Sequence, residues 1–376
     1  MKYVKSGLAR TVKNCFEAFK LFAHTPQRPP NEEKIHLLNG VLNVNGSFEP
    51  IIRFCNNRLA VEYNPTAKPP EKFMLFLSNL LETDDLTTLW QYLGYLLIPS
   101  TKGQAMLSII GNGGEGKSVL GTVLQGIFGD SLMTGSIQRV ETDRFFRANL
   151  QNKLVLLDDD MQLEALPSTG YLKSLITAQT PTDVEIKGQQ SFQAQLYCRF
   201  LCFGNGSIKS LYDKSDGFAR RMIILSAKPV PQNRVTNRNL ASEILAEKQG
   251  IFNWIFEGLQ NLIAHNFRFS VSERAKQNVT EMMSDNCNII EFLADNTFIS
   301  FDVNAETTSA NLYGAYTLWC NENAMTPLKR DTFINWLKQN EKKYGFIYTN
   351  RIIGECGRLV RGFKGIKSNY KPILFP

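Results

Sequence analysis

Residues 111–118 read Gly-Asn-Gly-Gly-Glu-Gly-Lys-Ser, and no other stretch of this 376-residue chain restricts its fold as strongly. Two different periodicities bracket this glycine-rich loop. Before it, residues 105–110 form a continuous apolar run, the mark of a strand buried on both faces. After it, Val119, Leu120, Val123, Leu124, Ile127 and Phe128 recur at helical spacing up to Gly129, a C-cap residue. Strand, glycine loop and helix in this order can wrap a polyphosphate, with backbone N–H groups pointing inward and the helix N-terminus facing the anion. The octapeptide fits the G-x-x-x-x-G-K-[ST] phosphate-binding pattern. Gly111, Asn112, Gly113, Gly114, Glu115, Gly116, Lys117 and Ser118 are therefore the expected nucleotide-binding residues. Lys117 would reach the β- and γ-phosphates, and Ser118 would ligate Mg²⁺.

A phosphate loop by itself names no reaction. The next apolar run, Leu154-Val155-Leu156-Leu157, ends in Asp158-Asp159-Asp160. Carboxylates at the end of a strand beside the loop can hold a magnesium ion and polarise the attacking water. Asp158 is expected on the metal and Asp159 on the water, with Asp160 able to replace either in a register one residue on. A third run, Phe200-Leu201-Cys202-Phe203, delivers Gly204 and Asn205, whose amide can orient the attacking water. Arg220 and Arg221 then precede the run Met222-Ile223-Ile224-Leu225, and either arginine can stabilise charge in a transition state. Apolar runs alternating with helical stretches across residues 102–228 indicate an α/β core with a largely parallel sheet.

The remaining composition mostly excludes. No run of about 18 uncharged apolar residues is present, so no membrane span is expected. The first residues lack the apolar segment of an export signal. Seven cysteines without a C-x-x-C pair, and only three histidines, speak against zinc and for reduced thiols in cytoplasm. Charge is more telling by position. Residues 321–376 carry eleven Lys/Arg against four Asp/Glu, which accounts for the whole +7 surplus of the chain. A basic terminal module on a neutral body points to a polyanion partner.

Taken together, these motifs resemble the superfamily 3 helicases of the AAA+ class, most closely the phage and plasmid primase–helicases, with the poxvirus nucleoside triphosphatases as relatives. Residues 111–118 are similar to that family's Walker A, 154–160 to its Walker B, 200–205 to its asparagine-bearing motif C, and 216–225 to its arginine-finger segment. Residues 172–176 and 183–188 resemble the lead into its DNA-contacting hairpin, which would place Lys187, Gly188 and Gln189 on DNA. Residues 311–320 and 361–366 resemble its C-terminal winged helix. The triple aspartate departs from the glutamate common in such relatives, and no primase segment precedes the loop.

The resemblance implies four parts. A mostly helical domain spans 1–98, an AAA+ core 99–230, a helical lid or connector 231–285, and a basic winged-helix-like α+β domain 286–376. It implies a homo-hexameric ring around single-stranded and forked DNA, moving 3′ to 5′ in a bacterial cytoplasm. ATP and Mg²⁺ would sit between subunits, with Arg221 or Arg220 supplied by the neighbour. A separate primase or initiator is the expected partner, and the terminal domain would bind either duplex DNA or protein. The rival expectations are a replication initiator that melts an origin and a DNA-stimulated P-loop ATPase that does not unwind.

Overall fold

The structure is a computed structural model describing residues 7–23, 30–161, 166, 168–206, 216–231, 237–286, 288–323, 325–354 and 357–369. The chain divides into two units, residues 1–32 and 33–376. In the first, helix Leu8–Phe22 buries no residue, and Leu8, Val12, Phe16 and Phe19 form an exposed apolar stripe at helical spacing.

The second unit is built on one parallel sheet. Its strands are β1 (Met106–Ile110), β2 (Leu132–Thr134), β3 (Val155–Met161), β4 (Arg199–Gly204) and β5 (Met222–Ser226). They lie in the order β5-β1-β4-β3-β2, and every neighbouring pair is parallel. The period of two divides each strand between two apolar layers. Leu107, Leu157, Leu201 and Leu225 join a core with helices Thr83–Tyr95, Lys117–Phe128 and Lys248–Ala264. Met106, Leu156, Phe200 and Ile224 join a second core with Phe146, Leu172 and Met282 on the opposite face. Both faces are thus covered, as a parallel sheet requires.

The segment before the sheet is not a separate core. Strands Lys34–Leu37, Gly40–Asn43 and Phe48–Glu49 form a small antiparallel sheet. Leu37 and Val61, with Leu77 and Tyr92 from helices Glu71–Leu80 and Thr83–Tyr95, pack into the same cluster as Leu107 and Leu157 of the central sheet. Helices Thr83–Tyr95 and Lys248–Ala264 meet backbone to backbone. A Cβ at Gly94 would collide with the main chain of Leu259, and one at Gly258 with the carbonyl of Trp90. The Trp90 indole N–H donates to the Trp254 carbonyl at 2.6 Å across this contact.

Residues 288–369 form an α+β part with its own core. Helix Asn288–Ala294 leads to strand Ile299–Thr308, helices Ser309–Glu322, Arg330–Gln339 and Glu341–Tyr344, then strands Ile347–Ile353 and Leu359–Ser368. Leu359–Ser368 lies in the middle of an antiparallel three-stranded sheet. Phe292, Tyr316, Trp319, Phe333, Trp336 and Phe363 fill the centre, and the Tyr316 and Phe333 rings stack at 4.4 Å. Among the described residues, no helix is long and apolar enough to cross a membrane.

Candidate functional site

Three segments converge at the carboxyl edge of the central sheet. The loop 111–116 leaves β1, the acidic residues close β3, and Asn205 follows β4, which lies between those two strands. A hydrogen bond from Gly111 N–H to the Gly204 carbonyl at 3.0 Å ties the start of the loop to the end of β4. Asn205 is exposed beside that tie. Gly113, Gly114 and Gly116 hold φ of 103°, 82° and 115°, values that side-chain-bearing residues avoid, and the helix begins at Lys117.

The loop is arranged around an anion, and that anion is its own Glu115 carboxylate. Glu115 accepts from the Asn112 N–H, from the Gly113 N–H at 2.8 Å, and from the Lys117 ammonium at 2.7 Å. Both side chains are buried, at 4% and 9% exposure. Burial works to raise the Glu115 carboxyl, but the hydrogen bonds and charge of Lys117 and the loop amides win and hold it below the ordinary carboxylate value. Two backbone donors and a lysine converging on one carboxylate are the donor set that a phosphate oxygen requires. The loop therefore fits the phosphate group expected from the sequence. No signal beyond the acid's position inside the loop would have shown this closure in the sequence.

The aspartates fall differently from the sequence expectation. β3 pairs Asp158 with Cys202 and Met161 with Gly204, so one extra residue is accommodated between them as a bulge. Strand alternation puts Asp158 on the face of Leu156, away from the glycine loop, where its carboxylate accepts from the Ile137 N–H at 2.7 Å. Burial pushes the Asp158 carboxyl above its ordinary value, against that backbone hydrogen bond. Asp159 takes the other face. Its carboxylate lies against Gly121 of the loop helix and faces Ser118 and Lys117. Burial, with Asp160 beside it, pushes the Asp159 carboxyl above its ordinary value, against the Ser118 hydrogen bond and the Lys117 charge. Asp158 is thus not brought to Ser118; Asp159 is. Asp160 is exposed on the bulge. Among the described residues no three His, Cys, Asp or Glu side chains cluster as a metal site. A Mg²⁺ ion held by one carboxylate, one hydroxyl and substrate phosphates needs no such cluster.

The arginines sit at the other edge of the sheet. Arg220 and Arg221 precede the first residue of β5, which pairs with the first residue of β1, and the Met106 N–H donates to the Arg221 carbonyl at 2.8 Å. Five strand residues, about 17 Å, separate them from the glycine loop of the same chain. The Arg221 guanidinium donates to the Gly217 carbonyl in the preceding turn, whereas Arg220 is exposed.

Strands Thr182–Val184 and Phe192–Ala194 form a separate antiparallel hairpin. At residues 186–189 the Gln189 N–H donates to the Ile186 carbonyl at 3.0 Å, closing a turn with Lys187 and Gly188 at its centre. Gly188 has φ 79°, as the third position of a type II turn demands. Lys187, Gly188 and Gln189 are all exposed. The hairpin that carries this tip is a two-stranded sheet of its own, outside the central sheet.

These features define an α/β domain with a wholly parallel five-stranded sheet and an anion-holding glycine loop at its carboxyl edge. Residues 109–221, from that loop to the arginines, match a family described as a family of unknown function, DUF5906. No curated protein matches the chain. Solved structures resemble it over nearly their whole length, and two serve as examples. One, the A form apo structure of the NrS-1 C-terminal region, is 15% identical with a TM-score of 0.52, covering 95% of this chain and 91% of that one. The other, the apo structure of NrS-1 residues 305–718, is 14% identical with a TM-score of 0.51, covering 94% and 90%. At such identity the likeness is one of fold.

Proposed function

We propose that the chain is an ATP-hydrolysing translocase on DNA that works as a ring, and that it is a replicative helicase of a phage or mobile element. One observation carries this reading. The loop, the carboxylates and Asn205 stand at one edge of the parallel sheet, and the two arginines stand at the other. An arginine about 17 Å from its own loop has no use there, whereas in a head-to-tail ring it meets the loop of the next copy.

In this reading the core is an AAA+ P-loop core, and the residues divide the work as follows. The triphosphate displaces the Glu115 carboxylate and takes the donors of Asn112, Gly113 and Lys117. Ser118 and Asp159 are the groups that would hold Mg²⁺, which neutralises charge on the phosphoryl oxygens when bound. Asp160 takes a proton from water as that water attacks the γ-phosphorus and the bond to ADP breaks, while Asn205 orients the water. Arg220 of the adjacent copy stabilises the transferred charge, Arg221 being tied to its own helix. The metal and base roles thus move one residue along from Asp158 and Asp159. Lys187 at the hairpin tip grips phosphates without regard to sequence, which suits a translocase moving 3′ to 5′ on a single strand. A separate primase or initiator would act with it.

The test is ATP hydrolysis with and without DNA, beside unwinding of a forked duplex. Wild type should hydrolyse, be stimulated by DNA and separate strands, and Lys117→Ala should do none of these. Stimulated hydrolysis without strand separation would make the chain a non-unwinding ATPase. Hydrolysis persisting in Lys117→Ala would remove the loop from the reaction.

A further inference from the structure

Helix Leu8–Phe22 has no part in the nucleotide chemistry and buries no residue. At 3.6 residues per turn, Leu8, Val12, Cys15, Phe16, Phe19 and Phe22 fall within an arc of about 120°. All six are exposed, and Phe22 is 93% exposed. Three phenyl rings held in water on one face of one helix form a surface that gains by being covered. The helix also holds itself poorly in water. It has 15 residues and no side-chain cap at its start, so an apolar environment for the stripe supplies what propensity and capping do not.

The charges around the stripe select what covers it. Arg10, Lys13 and Lys20 occupy the rest of the circumference, against the single acid Glu17. With Lys2 and Lys5 upstream, residues 1–23 carry five cations and one acid. Lys20 stands at the border of the stripe, its ammonium over the Phe16 ring at 4.7 Å and 3.1 Å from the Glu17 carboxylate. Lys13, two turns earlier, lies on the same border. A long stem along the apolar margin with its charge held outward is how a cation reaches lipid headgroups from an immersed helix. A Phe-rich face backed by a cationic one marks a helix that lies in the bilayer interface. Fifteen residues span about 22 Å, too short to cross a hydrocarbon core of about 30 Å.

A second copy of the helix fits the stripe less well. Leu8, Val12, Cys15, Phe19 and Phe22 have the 4-3-4-3 spacing of a coiled-coil seam. That seam runs for about two heptads, where about three or four are needed. The positions flanking it hold Ala9, Thr11, Phe16 and Ala18, with no charges to pair across an interface. We propose that helix Leu8–Phe22 lays its apolar stripe into the surface of an anionic lipid bilayer, with Lys13 and Lys20 on the headgroup phosphates. The helix shares no residue with the glycine loop, so the proposal stands apart from the hydrolysis reading.

The test is flotation of the full chain, without nucleotide, on vesicles of phosphatidylglycerol mixed equally with phosphatidylcholine and on vesicles of phosphatidylcholine alone. Wild type should float with the anionic vesicles and far less with the neutral ones. Phe16→Ser with Phe19→Ser should weaken binding to anionic vesicles at least about tenfold. Lys13→Gln with Lys20→Gln should weaken it about tenfold, and added salt should weaken wild type in the same direction. The helix buries no residue, so both double variants should keep the wild-type Tm, which separates lost binding from lost fold. Wild type that does not float, equal flotation on neutral and anionic vesicles, or undiminished flotation of the Phe double variant overturns the proposal. Light scattering without vesicles covers the second copy: assemblies in wild type that vanish in the Phe double variant, with no flotation, would assign the stripe to self-association and overturn the proposal.

Discussion

Removing the Glu115 carboxylate should open the glycine loop to nucleotide. The carboxylate must leave the amides of Asn112 and Gly113 and the Lys117 ammonium before a phosphate can take them. Hydrogen bonds to a charged partner contribute roughly 1.5–3 kcal/mol each, and the three here share one carboxylate that regains water on leaving. Taking one such bond as the net closing free energy leaves the loop open about 0.6–7% of the time. Both side chains are under 10% exposed, so solvent screening takes little from this figure. Apparent affinity scales with the open fraction, so Glu115→Ala should tighten binding of a fluorescent ADP analogue by roughly ten- to a hundredfold. Glu115→Gln keeps an acceptor without the charge and should fall between. The sign with pH is fixed as well. A carboxyl held below its ordinary value keeps the loop closed above that value, and closure is lost as pH falls through the lowered one. Wild-type affinity should therefore show no loosening of closure across neutral pH. Unchanged or weaker ADP binding by both variants would refute the idea that Glu115 competes for the phosphate donors.

Asp159→Asn should abolish Mg²⁺-dependent hydrolysis with the fold intact, whereas Asp158→Asn, which can still accept from the Ile137 N–H, should retain it. Asp158→Ala leaves that amide unpaired and should cost about 1–3 kcal/mol in a urea melt. Equal loss of hydrolysis in both Asn variants would contradict the opposite strand faces assigned to the two aspartates. Arg199 lies buried with its guanidinium over the Tyr95 ring at 4.7 Å, without a hydrogen-bond partner among the described residues. Arg199→Met should therefore hold or raise Tm, and a fall of several degrees would reveal a partner for the charge. Lys187→Ala should keep basal hydrolysis and lose its stimulation by single-stranded DNA; undiminished stimulation would move the contact away from the hairpin tip.

The parts of this molecule that were legible in the sequence are those fixed by local chemistry. Four glycines with Lys117 and Ser118 between an apolar run and a helical stripe leave few alternatives, and β1, the loop and its helix lie where that pattern puts them. Strand order was not legible, because pairing across the sheet is decided by packing between distant segments. The acidic strand misled for a narrower reason. Period-two alternation can be counted from sequence, but which face of the strand the loop helix covers cannot, and that decides which aspartate meets Ser118. Glu115 was counted as a loop residue, yet its role depends on a side chain folding back onto its own backbone.

The central claim is that one copy supplies the loop and the next supplies the arginine. Mixing Lys117→Ala with Arg220→Ala tests it most directly, since neither variant alone should hydrolyse ATP. In an equal mixture, a quarter of the seams in a randomly assembled ring pair an intact loop with an intact arginine, so about a quarter of wild-type hydrolysis should return. No recovery on mixing, or full activity of Arg220→Ala by itself, would contradict a site shared between copies.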